Sequence, residues 1–271
     1  ALAEARFGQK KFRDAAALYA EIAAKFAKHA LADEAAYGRM LALEKAGDLE
    51  TAEKAGQEFF TSFSASPLAH LARFALGEYR FRLKKYAEAA ADFEAFLAGK
   101  NLAELGADAE YKLGWCRMNL GKGADAVPHF NAVVTRYPKS PLAAESAYFA
   151  GRAAEEAGDK AGARKHYENC VQAFPGTEHA LMSDLAVALL DFGDKKYADS
   201  LARAEAFLKK NPDHALSAYA FVYKGEALLE LGRPEEALAA YRSVKPGRED
   251  ALTADSVSGA AWALRKMGKH E

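Results

Sequence analysis

The sequence predicts an all-α solenoid of stacked antiparallel helix pairs, about fifteen helices in all, spread over 271 residues. Three observations carry that expectation. A small residue recurs every 37 positions, at Ala15, Ala52, Ala89, Ala126, Ala163, Ser200 and Ala237. A fixed interval of this size marks a stacked repeat, because every unit must meet its neighbour through the same close contact. Each small residue also heads an apolar stripe in steps of four and three, as in Ala163, Tyr167, Cys170 and Phe174, which keeps those side chains on one helix face. Finally, Pro138, Pro175 and Pro212 each follow the small residue by twelve positions, where a proline ends the backbone hydrogen-bond ladder.

The striped segment is called helix B. After its stop, Ser66-Pro67 and Ser140-Pro141 supply an N-cap and a proline suited to a first helical turn, so helix A is expected to begin there. Helix A carries Gly77, Gly114, Gly151 and Gly225, where a missing side chain admits a neighbouring helix. Gly121, Gly158 and Gly232 follow seven residues later, at the place where a helix C-terminus takes a left-handed residue; Gly47 and Gly268 occupy comparable places. Irregularities are expected at Lys84 in place of a turn glycine, Gly123 in place of a turn aromatic, Pro128 early in a helix B, and Asp191 to Tyr197, a turn longer by two. Neither helix, at about 12 to 15 residues, would be more than marginal alone in water; stacking is what stabilises it.

These residues resemble a tetratricopeptide repeat array, whose unit is a pair of antiparallel helices. Tyr111-Lys112-Leu113-Gly114, Gly232 through Ala237, and Arg136-Tyr137-Pro138 match the small, aromatic and proline positions of that family along nearly the whole chain. The resemblance implies a right-handed superhelical solenoid with helix A on the concave wall. The family unit is about 34 residues, so this chain carries a longer form, with an aromatic three before the helix A glycine where the family has Trp four before it. The 37-residue phrase Tyr137-Pro138-Lys139-Ser140-Pro141-Leu142 is similar to repeats of bacterial outer-membrane assembly lipoproteins and Tol-Pal accessory proteins, which implies the periplasm or cell envelope rather than the cytoplasm. Residues 1–9 resemble the back half of a helix A, and Thr253 to Gly268 a helix A without its helix B. The chain is therefore expected to be one array over residues 1–271, about seven repeats plus a truncated terminal helix, cut from a longer protein.

Composition narrows the function. The chain is 51% hydrophobic with a net charge of −1, without the basic excess that phosphate binding requires, so no nucleic-acid partner is expected. No apolar run nears the roughly 18 residues of a membrane span, so no direct membrane insertion is expected. Asp191-Phe192-Gly193 spells the metal-binding triplet of protein kinases, but the other kinase motifs are missing. Gly121-Lys122-Gly123 is too short for a phosphate loop. His166 and Cys170 lie four apart, yet no further Cys or His sits at supporting spacing for a metal. The pairs Glu155, Glu156 and Glu235, Glu236 read as solvated helix faces. No catalytic residue, cofactor or metal site is expected.

Positions that recur between repeats build the stack, whereas positions that vary are free to recognise something else. Helix A of the fourth repeat is apolar on two sides: Leu113, Cys116 and Leu120 form one stripe, Tyr111, Trp115 and Met118 another. The second stripe is expected to face the groove. Its first member recurs as Tyr37, Phe74, Tyr111 and Tyr148; its next two vary as Leu41 and Glu44, Glu78 and Phe81, Trp115 and Met118, Arg152 and Glu155. The candidate groove is thus Phe74, Glu78, Phe81, Tyr111, Trp115, Met118, Tyr148 and Arg152, aromatic and flexible side chains of the kind enriched at binding hot spots. Glu34, Glu44, Glu78, Asp108 and Glu145 would make an acidic rim, suiting an apolar peptide or protein partner with basic residues. The family's carboxylate clamp uses a Lys where this chain has Tyr37, Phe74, Tyr111 and Tyr148, which disfavours a chaperone-tail adaptor. The expected function is a non-catalytic protein-interaction scaffold. The alternatives are a self-assembling rod or homo-oligomer, and a docking module of a larger enzyme or envelope-assembly complex.

Overall fold

A computed structural model describes residues 1–99, 105–245 and 250–268. Among them are fifteen α-helices and no strand. The A helices are α1 (Leu2–Gly8), α3 (Ala32–Lys45), α5 (Ala69–Arg82), α7 (Gly106–Asn119), α9 (Ala143–Glu156), α11 (Glu178–Gly193), α13 (Ser217–Glu230) and α15 (Asp250–Lys266). The B helices are α2 (Phe12–Lys25), α4 (Leu49–Phe63), α6 (Tyr86–Leu97), α8 (Gly123–Arg136), α10 (Lys160–Ala173), α12 (Tyr197–Lys210) and α14 (Pro234–Arg242). The chain divides into two compact units, Ala1–Leu142 and Ala143–Glu271.

In both units the 37-residue marker lies in the core. All seven small residues, from Ala15 to Ala237, are completely buried. The helix A glycines meet a helix B aromatic directly: a Cβ on Gly77, Gly114, Gly151 or Gly225 would lie 2.9, 2.8, 2.4 or 2.6 Å from Phe93, Phe130, Tyr167 or Tyr241. Large rings pressed on bare backbone give the close-packed interior that an alanine-rich sequence needs. Replacing Ala163 by Leu should overpack this contact and cost about 1–3 kcal/mol in urea denaturation, whereas Ala161→Leu should cost little. Ala161 lies in the exposed first turn of α10, not in the connecting turn where the spacing placed it.

Two further expectations are corrected. Helices α5 and α9 begin at Ala69 and Ala143, two residues beyond each Ser-Pro pair. The Ser66 and Ser140 hydroxyls accept from the Leu68 and Leu142 N–H groups at 3.0 and 3.2 Å, so each serine closes a short turn rather than capping the helix.

The turn after α11 is not longer than the others. Every described A-to-B connection has three residues, with the middle one left-handed: Lys10, Gly47, Lys84, Gly121, Gly158, Lys195 and Gly232. Lys195 has φ 60° and Lys84 has φ 59°, a conformation costing a side-chain-bearing residue roughly 1–2 kcal/mol. Both are held by the same pair of reverse bonds that the glycine turns use: Lys196 N–H donates to the Asp191 carbonyl at 2.8 Å, and Lys195 N–H to that of Phe192 at 2.9 Å. The two additional residues belong instead to the start of α11, where the Thr177 side chain accepts from Ala180 N–H at 3.2 Å.

Within each unit the A helices also touch one another, α3 with α5 and α5 with α7 in the first, α9 with α11, α11 with α13 and α13 with α15 in the second. Successive B helices make no comparable contact among the described residues. The A side is therefore the inner, concave wall of each unit.

Candidate functional site

In the first unit the predicted groove residues sit on the inner faces of α5 and α7, half-buried. Their rings lean on their own repeat's helix B. Phe74 packs on Phe93 and Phe96 with centroids 5.8 and 5.2 Å apart, and Phe81 on Tyr86 at 5.7 Å. Tyr111 and Trp115 both pack edge-on against Phe130, at 5.9 and 6.0 Å. Their large area is spent on holding the helix pair together. Met118 is half-buried beside them.

The acids near these rings are paired. Glu78 meets the Lys112 ammonium at 2.6 Å, and that ammonium lies 5.7 Å from the Phe74 ring centre. Glu44 binds Arg82 at 2.7 Å. Two of the carboxylates expected to form an acidic rim are thus neutralised within the unit.

The second unit is different. The remaining predicted residues, Tyr148 and Arg152 on α9, open a cavity of about 500 Å³ walled by Met182, Leu185 and Leu189 of α11 and by Tyr219 and Tyr223 of α13. Tyr148 is nearly buried, and Arg152 donates to its hydroxyl at 3.2 Å. That bond, ahead of the opposing effect of burial, holds the guanidinium pKa above its ordinary value. At the base, the Tyr167 hydroxyl donates to Glu155. Burial, then this bond and the carboxylate's charge, push the Tyr167 pKa far up. Glu155 is accordingly half-buried and bonded rather than a solvated surface acid.

A second cavity of about 460 Å³ continues along the same wall, lined by Phe192, Val222, Glu226, Leu229, Asp255 and Trp262 and sharing Leu189 and Tyr223 with the first. Glu226 accepts from the Tyr241 hydroxyl at 3.0 Å. The Arg265 guanidinium and the Lys266 ammonium lie 5.2 and 5.6 Å from the Trp262 ring centre. Together the cavities form one furrow across the inner faces of α9, α11, α13 and α15. At its middle Leu189 is 47% exposed, and Trp262 is equally exposed near its end.

Leu189 and Glu226 stand 37 and 74 residues after Arg152, in the same repeat position as Trp115, so the signal was present in the spacing beyond the fifth repeat. Trp262 follows Glu226 by 36, a one-residue slip that hides it from the count. Cys116 and Cys170 are free and buried. No cluster of His, Cys, Asp and Glu suited to a metal occurs among the described residues, and no described helix is long and apolar enough to cross a membrane.

A tetratricopeptide repeat protein from Parabacteroides merdae is similar in structure, with a TM-score of 0.57 at 16% identity over 88% of this chain and 87% of that one. The C-terminal part of a repeat-containing protein from Cytophaga hutchinsonii superposes with a TM-score of 0.68 at 13% identity, covering 95% and 98%. YrrB, described as a protein of this repeat type with an unusual peptide-binding site, gives 0.56 at 18% identity, covering 74% and 96%. No curated protein sequence matches the chain. The sequence model of the tetratricopeptide repeat matches residues 57–104, 111–177 and 183–252. With most of its length matched and the small, aromatic and turn positions each in their structural place, the chain belongs to the tetratricopeptide repeat family.

Proposed function

We propose that this protein is a non-catalytic interaction scaffold that holds a peptide or protein segment along the inner, helix A wall of its second unit. The observation that carries the reading is the continuous furrow with Leu189 bare at its centre. An exposed leucine in a concave apolar wall leaves about 1–2 kcal/mol of burial unrealised, which a bound side chain would recover. Pockets of a few hundred Å³ with convergent polar groups are the usual form of a recognition site. The likeness to YrrB, whose description includes a peptide-binding site, supports the same reading. The resemblance of residues 137–142 to repeats of envelope proteins supports a place in a bacterial cell envelope.

The first-unit candidates Phe74, Glu78, Phe81, Tyr111, Trp115 and Met118 are a second contact surface in this reading, with their half-exposed faces beside the Lys112–Glu78 pair. Leu189→Asp should abolish capture of the partner in pull-downs from the source organism, while Phe74→Ala with Trp115→Ala should weaken capture less and mainly lower stability. Unchanged capture by Leu189→Asp would move binding away from the furrow.

A further inference from the structure

The cavity lined by α9, α11 and α13 has two chemically distinct halves. On the α9 side stand a cation and an anion, Arg152 and Glu155. Residues three apart on a helix are neighbours, about 5–6 Å between Cβ atoms, and each of these two charges lies within the field of the other. Among the described residues they nevertheless form no direct ion pair, because each is turned to a tyrosine. Arg152 donates to the Tyr148 hydroxyl at 3.2 Å, and Glu155 accepts from the Tyr167 hydroxyl through Oε2. Tyr148 and Tyr167 are both buried, so the two anchors are fixed by the core. One bond fills neither group, since a guanidinium and a carboxylate can each hold several.

The other half is apolar, made by Met182, Leu185 and Leu189 of α11 with Leu216 at the start of α13. The volume of about 500 Å³ falls within the range of small-ligand sites. The adjacent opposite charges select the ligand. A simple carboxylic acid would meet Arg152 but also crowd Glu155, and a simple amine would meet Glu155 but crowd Arg152; like-charge juxtaposition of this kind excludes wrong ligands. A peptide holds its two free termini apart by the length of its chain. A carboxylate and an ammonium on one carbon, with an apolar chain beyond them, match both halves together.

We infer that this cavity binds a free α-amino acid with a large apolar side chain, of the leucine or phenylalanine class. Its carboxylate meets Arg152, its ammonium meets Glu155, and its side chain covers Leu185 and Leu189. The site shares a wall with the proposed partner surface, but neither reading needs the other.

Calorimetric titration of the intact protein tests this. Leucine and phenylalanine should bind saturably. Isocaproate, which is leucine without its ammonium, and isoamylamine, which is leucine without its carboxylate, should bind at least tenfold more weakly. Two variants assign the charges: Arg152→Gln should no longer prefer leucine to isoamylamine, and Glu155→Gln should no longer prefer leucine to isocaproate. A glutamine at 155 can still accept from Tyr167, and Arg152 is exposed, so both variants should keep the parent's urea midpoint, which is measured alongside; the two leucine analogues carry the test on the parent protein if either variant unfolds. No saturable binding of either amino acid, or equal binding of leucine and its two analogues, overturns the inference. Partner capture is read separately by the Leu189→Asp pull-down, so a failure there and a failure here are distinguishable.

Discussion

Tyr167→Ala should lower the stability of the second unit by about 3–5 kcal/mol, read as a shift of the urea midpoint and as loss of amide protection in α9 and α10. Tyr167 is completely buried. Its ring occupies the space that the missing Cβ of Gly151 leaves and packs against Tyr148 at 5.7 Å between centroids. Removing it empties the contact between the two helices of one repeat, and neighbouring rings cannot collapse into the hole without losing their own packing. It also frees the Glu155 carboxylate that its hydroxyl engages. Tyr167→Phe separates the two effects: the packing stays, the hydrogen bond goes, and a cost of about 1 kcal/mol is expected. Equal losses for Ala and Phe would mean that the hydrogen bond, not the ring on glycine, holds the pair together. Since repeats are stabilised by themselves and their neighbours, the effect should be concentrated near α9 and α10 instead of spread evenly.

Asp92→Ala should cost about 1.5–3 kcal/mol, because two arginines lose a charged hydrogen-bond partner in a buried site while Arg80 keeps Glu53. Asp92 of α6 is buried and takes Arg80 at 2.7 Å and Arg73 at 3.1 Å, both from α5. Arg80 reaches on to Glu53 of α4 at 3.2 Å, which Lys85 also binds at 2.6 Å. One carboxylate thus ties α6 to α5, and through Arg80 to the preceding repeat. Burial raises the pKa of Asp92 despite its two arginines, and replacing a buried ion pair by apolar residues of similar volume is often neutral or stabilising. The double variant Asp92→Leu with Arg80→Leu should therefore recover much of the loss. If the double variant is as unstable as the two single losses combined, the network itself carries the stability.

The repeat, its register and the role of its residues were legible in the sequence because they depend on contacts that recur every 37 residues. The period calls for a small residue at Ala163 and a bare one at Gly151, and the structure buries both, with the Tyr167 ring pressed on Gly151. Lys84 stands where the spacing put it, in place of a turn glycine, whereas Lys195 was not foreseen. A left-handed lysine has no sequence signature, and only the closing bonds of the helix end, with the following helix already held, impose it.

The site was less legible for a related reason. An aromatic on the inner face of helix A can lean on its own helix B or stand open to solvent, and both choices have the same periodicity. Packing decided that Trp115 leans on Phe130 while Leu189, in the same repeat position, stays exposed. It also decided which charges cancel: Glu78 finds Lys112, 34 residues away, whereas Arg152 bonds the Tyr148 hydroxyl within reach of the Glu155 charge. The sequence by itself determined the helices, their pairing and the residues that must touch. Tertiary structure alone decided which inner-wall positions remain exposed, because that depends on distances between residues far apart in the chain.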